Sequence, residues 1–411
     1  MHRPWSDAEA AGKDPIDLLV YQGRLIGADP SLVLWGGGNN SLKAVERDFR
    51  GREVRVLRVK GSGSDLKSIT QSGFPGVRLD EVLPLFQTRE EMSDEEMVEY
   101  LRRCLMEPDS PRPSIETLLH AFLPFPSVVH THADAILSLT NNQDPARVLQ
   151  EVYGDEVAIV PYRRPGFRLS KEVALAVRQR PGLRGVVLLN HGLVTWGETA
   201  QEGYETHIDL VQQAEKHVEK GQAQKKVFGP LRRPPLPAER RQEVAAVAAP
   251  FLRGLLSRRA RAVLRFDDSP DVLEFLASAE GKRLSALGPA TPDHLLQTKR
   301  LPLWAEVPDP EDIPALRQAL QEGVEHYVEE YSRWYREHAS GDIPMLDPAP
   351  RVVLVPGLGM WTMGKDARAA LITAEVFHHT IAVIAGAQAV GGYASLSTRD
   401  AFEAEYWPLE L

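Results

Sequence analysis

Two short apolar runs each stop at a histidine, and that pairing restricts the fold more than any other feature of the chain. Pro126-Ser127-Val128-Val129 leads into His130-Thr131-His132, and Val186-Val187-Leu188-Leu189-Asn190 leads into His191-Gly192. Runs this short and apolar read as buried strands. On a strand, residues i and i+2 leave the same face, so His130 and His132 aim two imidazoles at one point. A neighbouring strand that brings His191 alongside completes three neutral nitrogen ligands. That is the donor set of a catalytic zinc with one position open for substrate. The plainer alternative is a pair of partly buried histidines, hydrogen-bonded near a sheet end.

Helical and strand patterns alternate from about residue 14 to residue 221. Segments 53–60, 125–130, 157–162 and 185–190 read as strands, the first by period-two alternation. Thr199 with Glu202 forms a capping box ahead of a helix to about Lys220, whose face is marked by Tyr204, Ile208, Val211, Ala214 and Val218. Three prolines in four positions near Leu236 cannot continue a helix, so the stretch from Lys225 to Pro237 reads as a linker. Helical patterns return at about 238–257, 311–337 and 366–386, with strand-like runs at 262–266 and 351–355. The expectation is an α/β protein of two domains, 1–225 and 241–411, joined by a Pro-rich linker at 226–240.

Composition narrows the function classes. Hydrophobic residues make up 43% and charged residues 26%, ordinary for a globular protein. No run of about 18 uncharged apolar residues is present, so no membrane span is expected. The start, Met1 to Asp7, is polar, and Cys104 is the only cysteine. Both suit the cytoplasm, and a lone cysteine excludes an internal disulfide or a cysteine metal cluster. A formal charge of −9 argues against general nucleic-acid binding. An anionic ligand therefore needs a local site.

Ser114-Ile115-Glu116-Thr117 follows Pro113 and reads as a helix start, with Ser114 at the N-cap and Glu116 in the first turn. A first-turn carboxylate gains about 0.3–1 kcal/mol from the helix dipole and needs no further reason to be there. Beside a metal it becomes a proton shuttle, a role that asks for a raised pKa, whereas the dipole favours the ionised form. His120, four residues on, shares that face and reads as a core or supporting histidine. Two glycine-rich turns, Trp35-Gly36-Gly37-Gly38-Asn39-Asn40-Ser41 and Lys60-Gly61-Ser62-Gly63-Ser64-Asp65, fit an anion-binding concavity of backbone N–H groups. Neither matches a nucleotide fingerprint, and neither does Pro356-Gly357-Leu358-Gly359. Thr291 caps a further helix, which places His294 at a surface helix start.

Taken in order, Gly38-Asn39-Asn40-Ser41, Gly61-Ser62-Gly63, Ser114-Ile115-Glu116, His130-Thr131-His132 and Asn190-His191-Gly192 resemble the class II aldolase/adducin family over residues 14–221. The second half, from Gly288-Pro289-Ala290-Thr291-Pro292-Asp293-His294 to Tyr406-Trp407-Pro408-Leu409-Glu410, resembles the bifunctional rhamnulose-1-phosphate aldolase/short-chain dehydrogenase branch. In that branch a Rossmann dehydrogenase domain follows the matched region. The resemblance thus implies either a truncation or a separate dehydrogenase partner, and no dehydrogenase activity is assigned to this chain.

Residue by residue, the resemblance implies Zn2+ or another divalent metal on His130, His132 and His191. It makes Glu116 the acid/base and places Asn39, Gly61 and Ser114 around the substrate phosphate. The family pattern has a second serine where Ile115 stands, so one phosphate contact is missing. The implied fold is an α/β/α sandwich around a mostly antiparallel sheet, with a second, smaller α/β domain. The implied assembly is a fourfold homotetramer with sites at subunit interfaces. The implied reaction is retro-aldol cleavage of a ketose 1-phosphate, rhamnulose 1-phosphate foremost, to dihydroxyacetone phosphate and lactaldehyde. Rival readings are a sugar-phosphate 4-epimerase or dehydratase of the same family, or a non-catalytic adducin-like module.

Overall fold

In the computed structural model, which describes residues 2–409, contacts divide the chain into two units. One comprises the chain up to Thr140 with Asp144–His217. The other comprises Asn141–Gln143 with the chain from Val218 onward.

The first unit is built on β1 (Asn39–Arg47), β2 (Glu53–Val59), β3 (Gly76–Arg78), β4 (Ser127–Thr131), β5 (Val157–Val160), β6 (Gly185–Leu188) and β7 (Gly192–Gly197). They form one sheet in the order β3-β2-β1-β4-β7-β6-β5. Every neighbouring pair is antiparallel except β5 with β6. That parallel pair needs a crossover, which the helix Phe167–Gln179 supplies. On one face of β4, Val128 packs with Leu119, Leu169, Val186 and Val194. On the other, Ser127 and Thr131 meet Gln22 and His207, from the helices Pro15–Gly27 and Ala200–Gln222. Helices on both faces of a mostly antiparallel sheet make the expected α/β sandwich.

Some elements differ from expectation for identifiable reasons. β7 is buried at every position and so shows no alternation to read. β1 opens on the polar Asn39-Asn40-Ser41, buried because each side chain is bonded: Asn40 donates to Leu19 O and Gln22, and Ser41 meets His120. The helix expected after Pro113 starts only at Thr117 and runs to Phe122. Ser114 accepts from the Glu116 N–H in a tight turn, and Glu116 occupies the position before the helix, not its first turn. Thr291 does cap the helix Pro292–Thr298, but His294 is buried there and meets Thr380.

In the second unit, β8 (Val263–Asp267), β9 (Leu303–Trp304), β10 (Val352–Val355) and β11 (Gly359–Gly364) form a sheet in the order β8-β11-β10-β9. This repeats β4-β7-β6-β5 strand for strand: an antiparallel outer pair, a hairpin, and a parallel pair bridged by a helix, here Ile313–His338. The hairpin closes at Leu188↔Gly192 in one unit and at Val355↔Gly359 in the other. Gly192-Leu193-Val194-Thr195-Trp196-Gly197 thus lies in register with Gly359-Met360-Trp361-Thr362-Met363-Gly364. Both first glycines are forced by a neighbouring backbone. A Cβ on Gly192 would lie 2.2 Å from Thr131 O, and one on Gly359 2.7 Å from Asp267 O. A long helix follows each hairpin, Ala200–Gln222 and Ala367–Val390. The latter is, among the described residues, the one helix long and apolar enough to cross a membrane, and 61% of its most apolar window is buried within the protein.

Candidate metal centre

β4 carries His130 to the rim of the sheet, and His132 follows one residue beyond its end. His191 sits in the β6–β7 turn, where Asn190 takes φ 54, a left-handed state that asparagine tolerates better than most residues. Because β4 and β7 are paired, that turn lies directly beside His130. The three rings face one another with centroids 4.8, 4.9 and 5.1 Å apart. One nitrogen from each falls within 4.8 Å of the others, and the Nε2 atoms of His130 and His132 are 3.0 Å apart.

The donor set suits a divalent cation. His130 Nδ1 donates to the Leu193 carbonyl at 3.0 Å, which fixes the tautomer and leaves the Nε2 lone pair facing the cluster. Tetrahedral zinc with bonds of about 2.0–2.1 Å separates its ligand nitrogens by about 3.4 Å. The observed separations bracket that value. Among the described residues this is the one His/Cys/Asp/Glu group with such geometry.

Glu116 faces the same cluster. Its two oxygens lie 3.4 Å from His130 Nε2 and 3.4 Å from His191 Nε2. Burial alone would push its carboxyl up. The imidazoles of His130 and His191, the Asn39 amide and His132 together outweigh burial and hold it down at about 2. A cation in the cluster would act with the same sign. The group is therefore a carboxylate, held so by positive charge at the cluster, whether protonated rings or a bound cation, and by the Asn39 amide.

Behind Glu116 runs a chain of buried polar groups. Asn39 donates from Nδ2 to Glu116 Oε2 at 2.7 Å and to Ser114 Oγ at 3.3 Å. His120 donates from Nε2 to Asn39 Oδ1 and accepts at Nδ1 from the Ser41 hydroxyl. Burial drives the His120 pKa down to about 3, so its ring is neutral and can fill both roles at once. This fixes which end of the Asn39 amide meets the carboxylate. Lys60, also buried, donates to the carbonyls of Gly36 and Gly38 at 2.5 and 2.8 Å and so closes the first glycine-rich loop. In the second loop the amides of Gly61, Ser62 and Ser64 are already donated to Gly73, Arg112 and Gly61 carbonyls. Gly61 pairs with Pro113 beside Ser114, its amide already taken, and a Cβ there would press on Pro111 at 3.1 Å and on the Gly73 carbonyl at 3.2 Å.

Asn39, Ser114, Glu116 and the three histidines are thus brought together, with Gly61 alongside. His120 was legible as a helical neighbour of Glu116, but its partners were not. His207, which donates and accepts between Thr131 and Thr195 at 2.7 and 2.8 Å, and Lys60 left no motif to find them by.

Two family descriptions match end to end: "Class II Aldolase and Adducin N-terminal domain" over residues 17–218, and "Aldolase class II, second domain" over residues 243–411. The chain belongs to the class II aldolase/adducin family. As a class II aldolase family member it is 42% identical over 408 residues to the uncharacterized oxidoreductase YuxG of Bacillus subtilis strain 168, covering 98% of this chain and 59% of that protein. The chain therefore spans about 59% of the length of that curated relative. A solved N-terminal class II aldolase domain of a conserved protein from Thermoplasma acidophilum is 46% identical, with a TM-score of 0.49, covering 53% of this chain and 99% of that one. L-fuculose-1-phosphate aldolase from Thermus thermophilus is 18% identical, with a TM-score of 0.34, covering 51% of this chain and 98% of that one.

Proposed function

We propose that the chain is a zinc-dependent lyase that cleaves a ketose 1-phosphate, rhamnulose 1-phosphate foremost, to dihydroxyacetone phosphate and lactaldehyde. One observation carries this reading: a buried carboxylate faces two of three convergent imidazoles at 3.4 Å. His130, His132 and His191 would hold the metal. A bound divalent cation supplies Lewis acidity, worth several kcal/mol for a developing negative charge.

The chain's own groups do the rest. Glu116 moves one proton at the carbon that loses its bond. In cleavage a general base takes the hydroxyl proton across the scissile bond, that bond breaks to leave an aldehyde, and Glu116 delivers a proton to the electron pair left on the ketose fragment; in condensation both transfers run in reverse. Its resting carboxylate is ready for the second direction and must be charged with a proton for the first. Asn39 holds one carboxylate oxygen, so the proton travels on the other. Ser114 and Asn39 sit at the edge of the site toward the second glycine loop, where the phosphate would lie, with Gly61 beside them. The proposed working form is a cytoplasmic homotetramer.

The test is a zinc-dependent assay on rhamnulose 1-phosphate and fuculose 1-phosphate, following dihydroxyacetone phosphate and free aldehyde. Release of both supports the lyase. Turnover without aldehyde would instead mean an epimerase, and a purified chain that takes up no zinc would point to an adducin-like module.

A further inference from the structure

The second unit holds a cavity that the metal chemistry leaves unused. The helix Pro292–Thr298 ends at Lys299, which takes φ 64 and ψ 175. A residue with a side chain holds such a backbone state at a cost, and such strain collects where a binding function needs it. The strained turn sends two consecutive cations in different directions. Lys299 is buried, donates to the Asp347 carbonyl and lies 3.9 Å over the Tyr331 ring. Arg300 lines a cavity of about 190 Å3 together with Trp304, Tyr327 and Trp334.

Among the described residues, the Arg300 guanidinium has no hydrogen-bond or ion-pair partner, and its contact is the Trp334 ring at 5.2 Å. Behind the cavity wall, Tyr331 donates to Glu405 Oε1 at 2.6 Å, while Glu405 Oε2 is buried with no partner. Burial lowers the Lys299 pKa to about 8, lowers that of Arg300 and raises that of Glu405, so several groups here carry uncompensated desolvation. Two sequence stretches without duty at the metal centre also converge on this place. Gly288–Arg300 supplies the cations, and Tyr406 meets Tyr331 at 2.9 Å. A half-dehydrated arginine with no hydrogen-bonded anion costs free energy that a ligand would return.

We propose that this cavity binds a small hydroxylated carboxylate, its carboxylate on Arg300 and its carbon chain against Trp304 and Trp334. One unpaired guanidinium matches one carboxylate, in the two-bond geometry planar groups allow. A dianionic phosphate would meet a single unpaired cation, with Glu330 also lining the cavity and Glu405 behind its wall. His326 and Glu330, on the helix Ile313–His338, offer partners to hydroxyl groups.

The test titrates the whole chain with lactate, glycerate and gluconate, with inorganic phosphate as the comparison, following tryptophan fluorescence and thermal shift. The expected result is saturable binding of at least one acid below about 10 mM, weakened ten-fold or more in Arg300→Gln and less in His326→Ala. Circular dichroism and the ligand-free Tm identify an Arg300→Gln chain that has not folded. In that event the solvent-facing His326→Ala carries the test alone. No saturable response to any of the three acids, equal binding by wild type and variants, or tighter binding of phosphate would each overturn the proposal. None of these outcomes depends on the metal centre, so the lyase reading stands or falls separately.

Discussion

The two hairpins of this chain have the same register and opposite contents. Around β7 stand His130, His132 and His191. At the corresponding places around β11 stand Phe266, Asp268 and Leu358, by the pairings His130↔Val194 and Phe266↔Trp361. Leu358 is fully buried, Phe266 packs on Trp361 with centroids 5.1 Å apart, and Asp268 is tied to Arg241 at 2.9 Å and to Gln242. The same backbone therefore encloses a donor cluster in one unit and, in the other, a corner filled by Leu358 and Phe266 and closed by the Asp268–Arg241 ion pair. Backbone geometry makes the corner, and side-chain chemistry alone decides whether it can hold an ion.

The sharpest way to break the comparison is to remove one residue from each corner. His191→Ala should abolish metal uptake and cleavage, whereas Leu358→Ala should keep both and lose about 2–5 kcal/mol of stability to a cavity. Metal analysis with denaturant unfolding reads the two, and an active His191→Ala chain would remove the metal reading. Glu116→Gln should retain the metal and slow turnover by about 10²- to 10⁴-fold. If it loses the metal, Glu116 is a ligand rather than a proton carrier. Gly192→Ala and Gly359→Ala should each cost a few kcal/mol, on the order of other severe backbone clashes. Only Gly192→Ala should also weaken metal binding, since its Cβ would press within 3.0 Å of the His130 ring.

The smallest effect concerns the histidine that ties helix to strand in each unit. In the second, His378 bridges Asp267 at 3.0 Å and Asp271 at 2.5 Å, and Asp267 above all raises its pKa to about 9. A raised pKa adds stability in full below the unfolded value near 6.5, and that stability fades as pH climbs through 9. Partial solvent access limits the gain to on the order of 1–2 kcal/mol. In the first unit, burial lowers the His207 pKa to about 3, so that tie is neutral and weakens only on acidification below about 6.5. Thermal unfolding between pH 6 and 10 should therefore soften more in the wild type than in His378→Gln. A slope unchanged by that substitution would assign the loss to other groups.

How far the sequence could be read follows the same divide. His130 and His132 were legible because i and i+2 of an extended segment share a face whatever surrounds them. Glu116 was legible as a residue but not in its setting. The turn at Ser114 displaced the helix start, and the charge that governs the carboxylate comes from strands far away in the chain. β7 and β11 escaped because burial along all of β7 and the first four residues of β11 erases alternation, and with them went the repeat, which shows as a glycine–threonine–glycine spacing only once the registers are known. Gly61 reads as a donor in sequence because a glycine-rich turn says nothing of which carbonyls have already claimed its amides.

His207 gives the first unit a property that its ligands alone would not. By stitching Thr131 to Thr195 from the reverse face of the sheet, it clamps the two ligand-bearing segments together with no help from any ion. Chelators should consequently strip the centre and leave a folded, reloadable apoprotein, in contrast to small zinc domains that unravel when emptied.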